Sequence, residues 1–165
     1  MEQVILVNEE DQEIGFMEKM EAHLQGALHR AFSVLVFNSK GQMLLQKRAK
    51  TKYHSGGLWT NACCSHPLPD EDINTTVRKR LLHEMGIDAP SEFLYKFTYK
   101  TKLDQNLTEY EVDYVFKAIY DQEPMVNPQE VEDWKLIYPA ELKKLIDTKP
   151  EEFTYWFKLI VRELA

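Results

Sequence analysis

Between Asp70 and Gly86 the sequence specifies both the ends and the faces of one helix, and this limits how the rest of the chain can fold. Asp70 or Asp72 can cap its start by accepting from free backbone N–H groups, and Gly86 suits the left-handed residue that closes a helix. At 3.6 residues per turn Ile73, Val77, Leu81 and Met85 form one apolar stripe, with Thr75, Lys79 and His83 on the far side. A helix with one such stripe must lay it on a partner, and the flanking sequence supplies strands. Residues 2–8 and 13–16 read as a strand pair, with a short helix over 17–24. The β-branched and aromatic run 31–37 reads as a central strand, and Asn38-Ser39-Lys40-Gly41 as the turn that returns the chain through 42–47. After the polar loop 50–57 and the long helix come strands over 94–101, 110–119 and 134–138. Pro139 opens a helix to Ile146 and Pro150 a last one, in which Phe153, Trp156, Phe157, Ile160 and Leu164 form a core-facing stripe. Hairpins, one long helix, more strands and then helices predict an α+β sandwich, a mixed sheet flanked by helices, rather than a doubly wound parallel sheet. No linker or repeat divides residues 1–165, so one domain is expected.

Three features do not follow from packing. Glu84 lies inside the apolar arc of the helix, one turn after Arg80. A carboxylate aimed inward needs a cation, a metal or a proton, so Glu84 reads as functional rather than as half of a surface ion pair. In the strand 110–119, Glu109, Glu111 and Asp113 alternate with Tyr110, Val112, Tyr114 and Phe116, which puts three acids on one face. Taken alone, that face reads as solvated. In Trp59-Thr60-Asn61-Ala62-Cys63-Cys64-Ser65-His66-Pro67 two thiols stand beside an imidazole. Adjacent cysteines bridge each other poorly, and in an extended segment Cys64 and His66 point the same way. Two readings remain open: small buried side chains with a turn-capping histidine, or a thiol and an imidazole sharing a pocket.

Composition excludes several classes. Of the 165 residues, 44% are hydrophobic and 28% charged, the usage of a soluble globular chain. No apolar run reaches membrane-spanning length, and the first residues lack the pattern of a signal peptide. Two neighbouring cysteines predict a reducing, cytoplasmic setting rather than a disulfide scaffold. A net charge of −7 argues against nucleic acid as a partner, and any anionic substrate requires its own cluster of Lys and Arg.

The block Gly56-Gly57-Leu58-Trp59-Thr60-Asn61-Ala62-Cys63-Cys64-Ser65-His66-Pro67 resembles the signature of the type 1 isopentenyl-diphosphate delta-isomerase family. Glu18-Lys19-Met20-Glu21-Ala22-His23, Leu28 to Ser33, Lys47-Arg48-Ala49 and Glu109-Tyr110-Glu111-Val112 fit the same family in the same order, so the resemblance runs from Val4 to the final helix. It implies a Nudix-like α/β/α sandwich in which the catalytic box of the Nudix hydrolases is degraded. Only Glu84 of the box acids remains, with Lys79-Arg80 and His83 at other positions. The implied reaction interconverts isopentenyl and dimethylallyl diphosphates by proton addition and removal, with a diphosphohydrolase as the alternative. The resemblance assigns His23, His29, His66, Glu109 and Glu111 to one divalent metal (zinc, manganese or magnesium). It assigns a second ion, magnesium, to the substrate diphosphate, Glu84 and the Cys64 carbonyl. Lys19, Arg48, Lys52, Ser65 and Arg80 would hold the diphosphate, Cys64 and Glu111 with Tyr99 would move the protons, and Trp156 would face the cation. His54 and His83 are left as loop or surface residues, and Cys63 as packing.

Overall fold

The computed structural model describes residues 2–164. In chain order the elements are β1 (Gln3–Val7), β2 (Glu13–Glu18), α1 (Lys19–Gln25), β3 (His29–Phe37), β4 (Met43–Arg48), β5 (Trp59–Asn61), β6 (Cys63–Ser65), α2 (Ile73–Met85), β7 (Ser91–Lys102), β8 (Thr108–Ile119), β9 (Val131–Ile137), α3 (Pro139–Thr148) and α4 (Tyr155–Arg162). The strands form one mixed sheet with β3 as its spine. One edge of β3 runs parallel to β8 over its whole length, from His29 beside Glu111 to Phe37 beside Ile119. The other edge is divided among three antiparallel neighbours: β1 opposite His29, β6 opposite Phe32 to Val34, and β4 opposite Val36 and Phe37. β2 joins β1, β5 and β9 join β4, and β7 joins β8, all antiparallel. Among the described residues no helix is long and apolar enough to cross a membrane.

The period of two along β3 sets the layers. Phe32, Val34 and Val36 point toward α2 and pack with Val77, Leu81, Met85 and Phe116. Leu35 points the other way, into a second core with Val115, Leu142, Trp156, Phe157 and Ile160 from β8, α3 and α4. The same alternation separates the two cysteines: Cys63 joins the α2 core and Cys64 the α4 side. Both thiols are free.

Several boundaries differ from the sequence reading. β2 continues to Glu18, whose side chain then caps α1 by accepting from the Glu21 N–H, so that helix starts at Lys19 rather than Met17. β9 begins at Val131, three residues before Trp134. The helix expected from Pro150 is broken into one 3₁₀ turn, Pro150–Glu152, and α4. Between them Thr154 donates to the Trp59 carbonyl at 3.0 Å, and its hydroxyl meets that of Thr60 at 2.8 Å. Docking on β5 thus outcompetes continuation of the helix. Of the two candidate caps for α2, Asp72 is the one used.

Candidate active site

The α4 side of the sheet opens into a cavity bounded by α1, the loop between β4 and β5, β6, β8 and the start of α4. Cys64, Ser65, His66, Tyr99, Glu109, Glu111 and Trp156 line it, together with the cations Lys19, Arg48, Lys52 and Arg80. A site dispersed over the whole sequence is therefore gathered at one end of β3.

The acids of β8 are not solvated. Glu109 and Glu111 are each 3% exposed and Asp113 1%, because imidazoles from four other segments cover that face. The Nε2 atoms of His29 and His66 lie 2.9 and 3.0 Å from one oxygen of Glu111. His23 Nε2 is 3.7 Å from an oxygen of Glu109 and 3.7 Å from one of Glu111. The ring tautomers can be read from the far nitrogens. His23 Nδ1 donates to the Lys19 carbonyl and His29 Nδ1 to the Ala27 carbonyl, both at 2.8 Å. Carbonyls only accept, so Nδ1 carries a proton, and in the neutral ring Nε2 then presents a lone pair inward, the form that binds metal. Lone pairs facing carboxylate oxygens demand a positive charge between them. His23, His29, His66 and Glu111 form one group with ligand-type geometry, and His23 Nε2 has no hydrogen-bond partner among the described residues. The donor set therefore fits a divalent cation.

The acidities follow the same crowding. Burial and the neighbouring Glu111 push the Glu109 carboxyl up, but His23 and His54 outweigh them and hold it at about 2. Burial likewise opposes ionisation of Glu111, and His29 and His66 bring it well below the usual range. Among the described residues Asp113 has no imidazole beside it to do the same. Burial and Glu111 raise it well above its ordinary value, and only the Ser33 hydroxyl, donating at 2.8 and 3.0 Å, offsets this. Tyr99 donates to Glu109 at 2.5 Å and Glu111 at 2.8 Å; burial and both carboxylates lift its phenol far up, so it keeps its proton.

In the same cavity, burial pushes the Cys64 thiol up to about 12, although Arg48 pulls the other way with Nη1 3.5 Å from the sulfur. Trp156 is fixed by its indole N–H, which donates to Asn61 at 3.2 Å, and the Arg48 guanidinium lies 5.4 Å from its ring centre. Three of the four basic groups have acidic partners: Lys19 pairs with Glu2 at 3.0 Å, Lys52 with Glu130 at 2.6 Å, and Arg80 with Glu84 at 2.5 Å and Glu130 at 3.4 Å. Glu84 is buried as its position on α2 required, but it does not line the cavity. It sits behind Arg80, with its other oxygen accepting from Gln46 at 3.1 Å.

Sequence reasoning missed two residues here. His54 is 1% exposed and lies 3.0 Å from Glu109, not on the surface; a single histidine in an aperiodic loop carries no local signal of burial. Glu130, which the sequence reading did not single out, bridges two of the cations. His83 is exposed on α2, as expected.

Fold and cavity together define a Nudix-type domain, and the NUDIX domain family matches residues 27–157. A crystal structure of a Deinococcus radiodurans protein superposes with a TM-score of 0.79 over 98% of both chains at 18% identity. A MutT protein from Methanosarcina mazei gives 0.67 over 82% of this chain and 91% of that one at 16% identity. These establish the fold. Within it the chain belongs to the isopentenyl-diphosphate delta-isomerase family. It is 47% identical over 155 residues to isopentenyl-diphosphate Delta-isomerase 2 of Aromatoleum aromaticum, covering 94% of this chain and 82% of that protein. To the protein of the same name from Photorhabdus laumondii it is 46% identical, covering 98% and 92%.

Proposed function

We propose that this chain interconverts isopentenyl and dimethylallyl diphosphates by moving a double bond through protonation and deprotonation, as an enzyme of isoprenoid biosynthesis. The observation that carries this is one cavity lined by a protonated thiol, a tyrosine–carboxylate pair, an indole face and four cations. An unactivated alkene is a weak base, so its protonation needs acids that hold their protons at neutral pH. Cys64 and Tyr99 are both such groups. Proton addition at the terminal carbon leaves a tertiary carbocation, and proton loss from the neighbouring methylene gives the isomer. Cys64 acts on one face; Glu111, relayed and oriented by Tyr99, acts on the other. Reversal exchanges donor and acceptor. The Trp156 face, which already attracts the Arg48 guanidinium, stabilises the carbocation by about 2 kcal/mol when desolvated.

Lys19, Arg48, Lys52 and Arg80, with Ser65, bind the diphosphate, which replaces Glu2 as the counter-charge of Lys19 and Glu130 as that of Lys52 and Arg80. His23, His29, His66, Glu109 and Glu111 would hold zinc, manganese or magnesium, which supplies fixed positive charge that orients Glu111. Magnesium would accompany the diphosphate, with the Cys64 carbonyl as one protein ligand and Glu84 as another once Arg80 leaves it for the diphosphate. Two free thiols suit a cytoplasmic enzyme.

The test is proton NMR of isopentenyl diphosphate with the protein and magnesium in heavy water, run beside a phosphate-release assay. Deuterated dimethylallyl product without released phosphate is expected. Phosphate release without isomerisation would instead identify a diphosphohydrolase.

A further inference from the structure

The loop between β4 and β5 brings a fourth histidine to the metal-binding face of β8. His54 is 1% exposed, and its carbonyl accepts from Arg48 Nη2 at 3.1 Å, which fixes the loop. Its Nδ1 lies 2.9 Å from the Ser55 hydroxyl, a partner able to accept, so Nδ1 can carry the ring proton and Nε2 a lone pair. That Nε2 points inward. It is 3.0 Å from an oxygen of Glu109, yet it has no hydrogen-bond partner, since distance is satisfied and direction is not. Buried, unpartnered and beside a carboxylate, the nitrogen is arranged like one member of a shell of donors around a common centre. His23 is the hinge of that shell: its Nε2, also unpartnered, stands as near to Glu109 as to Glu111, and the two rings lie 5.6 Å apart. His23, His54 and Glu109 form a second group with ligand-type geometry, sharing His23 with the His29–His66–Glu111 group.

We infer that His54 is a metal-ligating residue of this chain, entering on the Glu109 side of the ion held by His23, His29, His66 and Glu111. The inference rests on the metal centre of the proposed isomerase and adds a donor to it. His23 offers only one inward nitrogen, because its Nδ1 is committed to the Lys19 carbonyl, so the two groups serve one ion and not two. His54 is two residues from Lys52, so the loop that reaches the diphosphate site also reaches the metal.

The deciding experiment titrates metal-free protein, ¹⁵N-labelled at histidine, with Zn²⁺ and follows the ring nitrogens by long-range ¹H–¹⁵N NMR. The expected result is that Nε2 of His54 shifts to metal-bound values together with those of His23, His29 and His66, at one equivalent of zinc. If those three shift and His54 does not, the inference fails while the metal centre stands. If none shifts, both fail. Competition with a chromogenic chelator gives a second measure: His54→Ala, checked for its fold by circular dichroism without metal, should bind Zn²⁺ at least about tenfold more weakly. An affinity within about twofold of the parent overturns the inference. Should that variant not fold, the spectrum of the parent protein still decides.

Discussion

Cys63 and Cys64 differ by one peptide unit and face opposite layers of the sandwich. Cys63 belongs to the core that contains Phe32, Val77 and Leu81, whereas Cys64 lies on the Trp156 side and lines the cavity. Strand alternation alone thus puts one thiol in the core beneath α2 and its neighbour in the cavity. Because burial raises Cys64 to about 12, almost none of it is thiolate at neutral pH, and thiolate is the form that alkylates. Its modification by iodoacetamide should therefore be slow and keep rising with pH beyond ~9, with no plateau near the ordinary thiol range of about 8.5. Mass spectrometry of the labelled peptide gives the profile, and a plateau near neutrality would contradict the acid role. Trp156 admits a complementary test. Trp156→Leu keeps the apolar volume and removes the π face, so turnover should fall about 30-fold, the equivalent of about 2 kcal/mol, with KM little changed. A change in KM alone would mean that the indole only shapes the pocket.

Among the elements, α2 is fastened at its end by Gly86, whose φ of 66° is left-handed and whose absent Cβ leaves room for Met125. A methyl group there would come within 2.6 Å of the Met125 carbonyl oxygen. Gly86→Ala should cost at least about 1–2 kcal/mol, lowering Tm by about 3–8 °C as read by calorimetry. Since Asn127 N–H donates to the Glu84 carbonyl at 2.9 Å, the same change should disturb the backbone beneath Arg80. On the far side of the sheet, Asp11 ties the β1–β2 turn to three strands, accepting from Arg30 and Lys96, both at 2.8 Å, and from Tyr114. Burial opposes its ionisation, but Lys96, Tyr114 and Arg30 prevail and hold the carboxyl below its ordinary range. A depressed carboxyl stabilises the fold above its unfolded value of about 3.9 and loses that contribution as pH falls through the folded value. Asp11→Asn should then cost about 2 kcal/mol at neutral pH, with the gap to the parent closing below pH ~4. Urea unfolding at both pH values checks the sign.

For the whole molecule, the cavity gathers buried carboxylates and imidazole nitrogens in an arrangement that could hold a metal ion. Glu109, Glu111 and Asp113 lie along one strand, all buried, with imidazole nitrogens crowded around the first two. A divalent ion present at about 100 times its Kd adds about 2.7 kcal/mol to stability, so chelation should lower Tm by about 5–10 °C. Readdition of zinc or manganese should restore it, and a melting curve indifferent to chelator would count against the metal centre.

The sequence by itself determined the parts whose reasons are local. The cap and closing glycine of α2, the inward Glu84 on its apolar arc, the hairpin at Asn38 to Gly41 and the run of β3 are all set within a few residues. The family blocks likewise named His23, His29, His66 and the paired glutamates. The tertiary structure alone decided which side of β8 is buried: alternation shows that the three acids share a face, but not that histidines from elsewhere will cover it. It decided the break before α4, made by a contact between Thr154 and β5 far away in the chain. It also decided the burial of His54, because a loop residue has no period to reveal it and its environment is built by distant side chains.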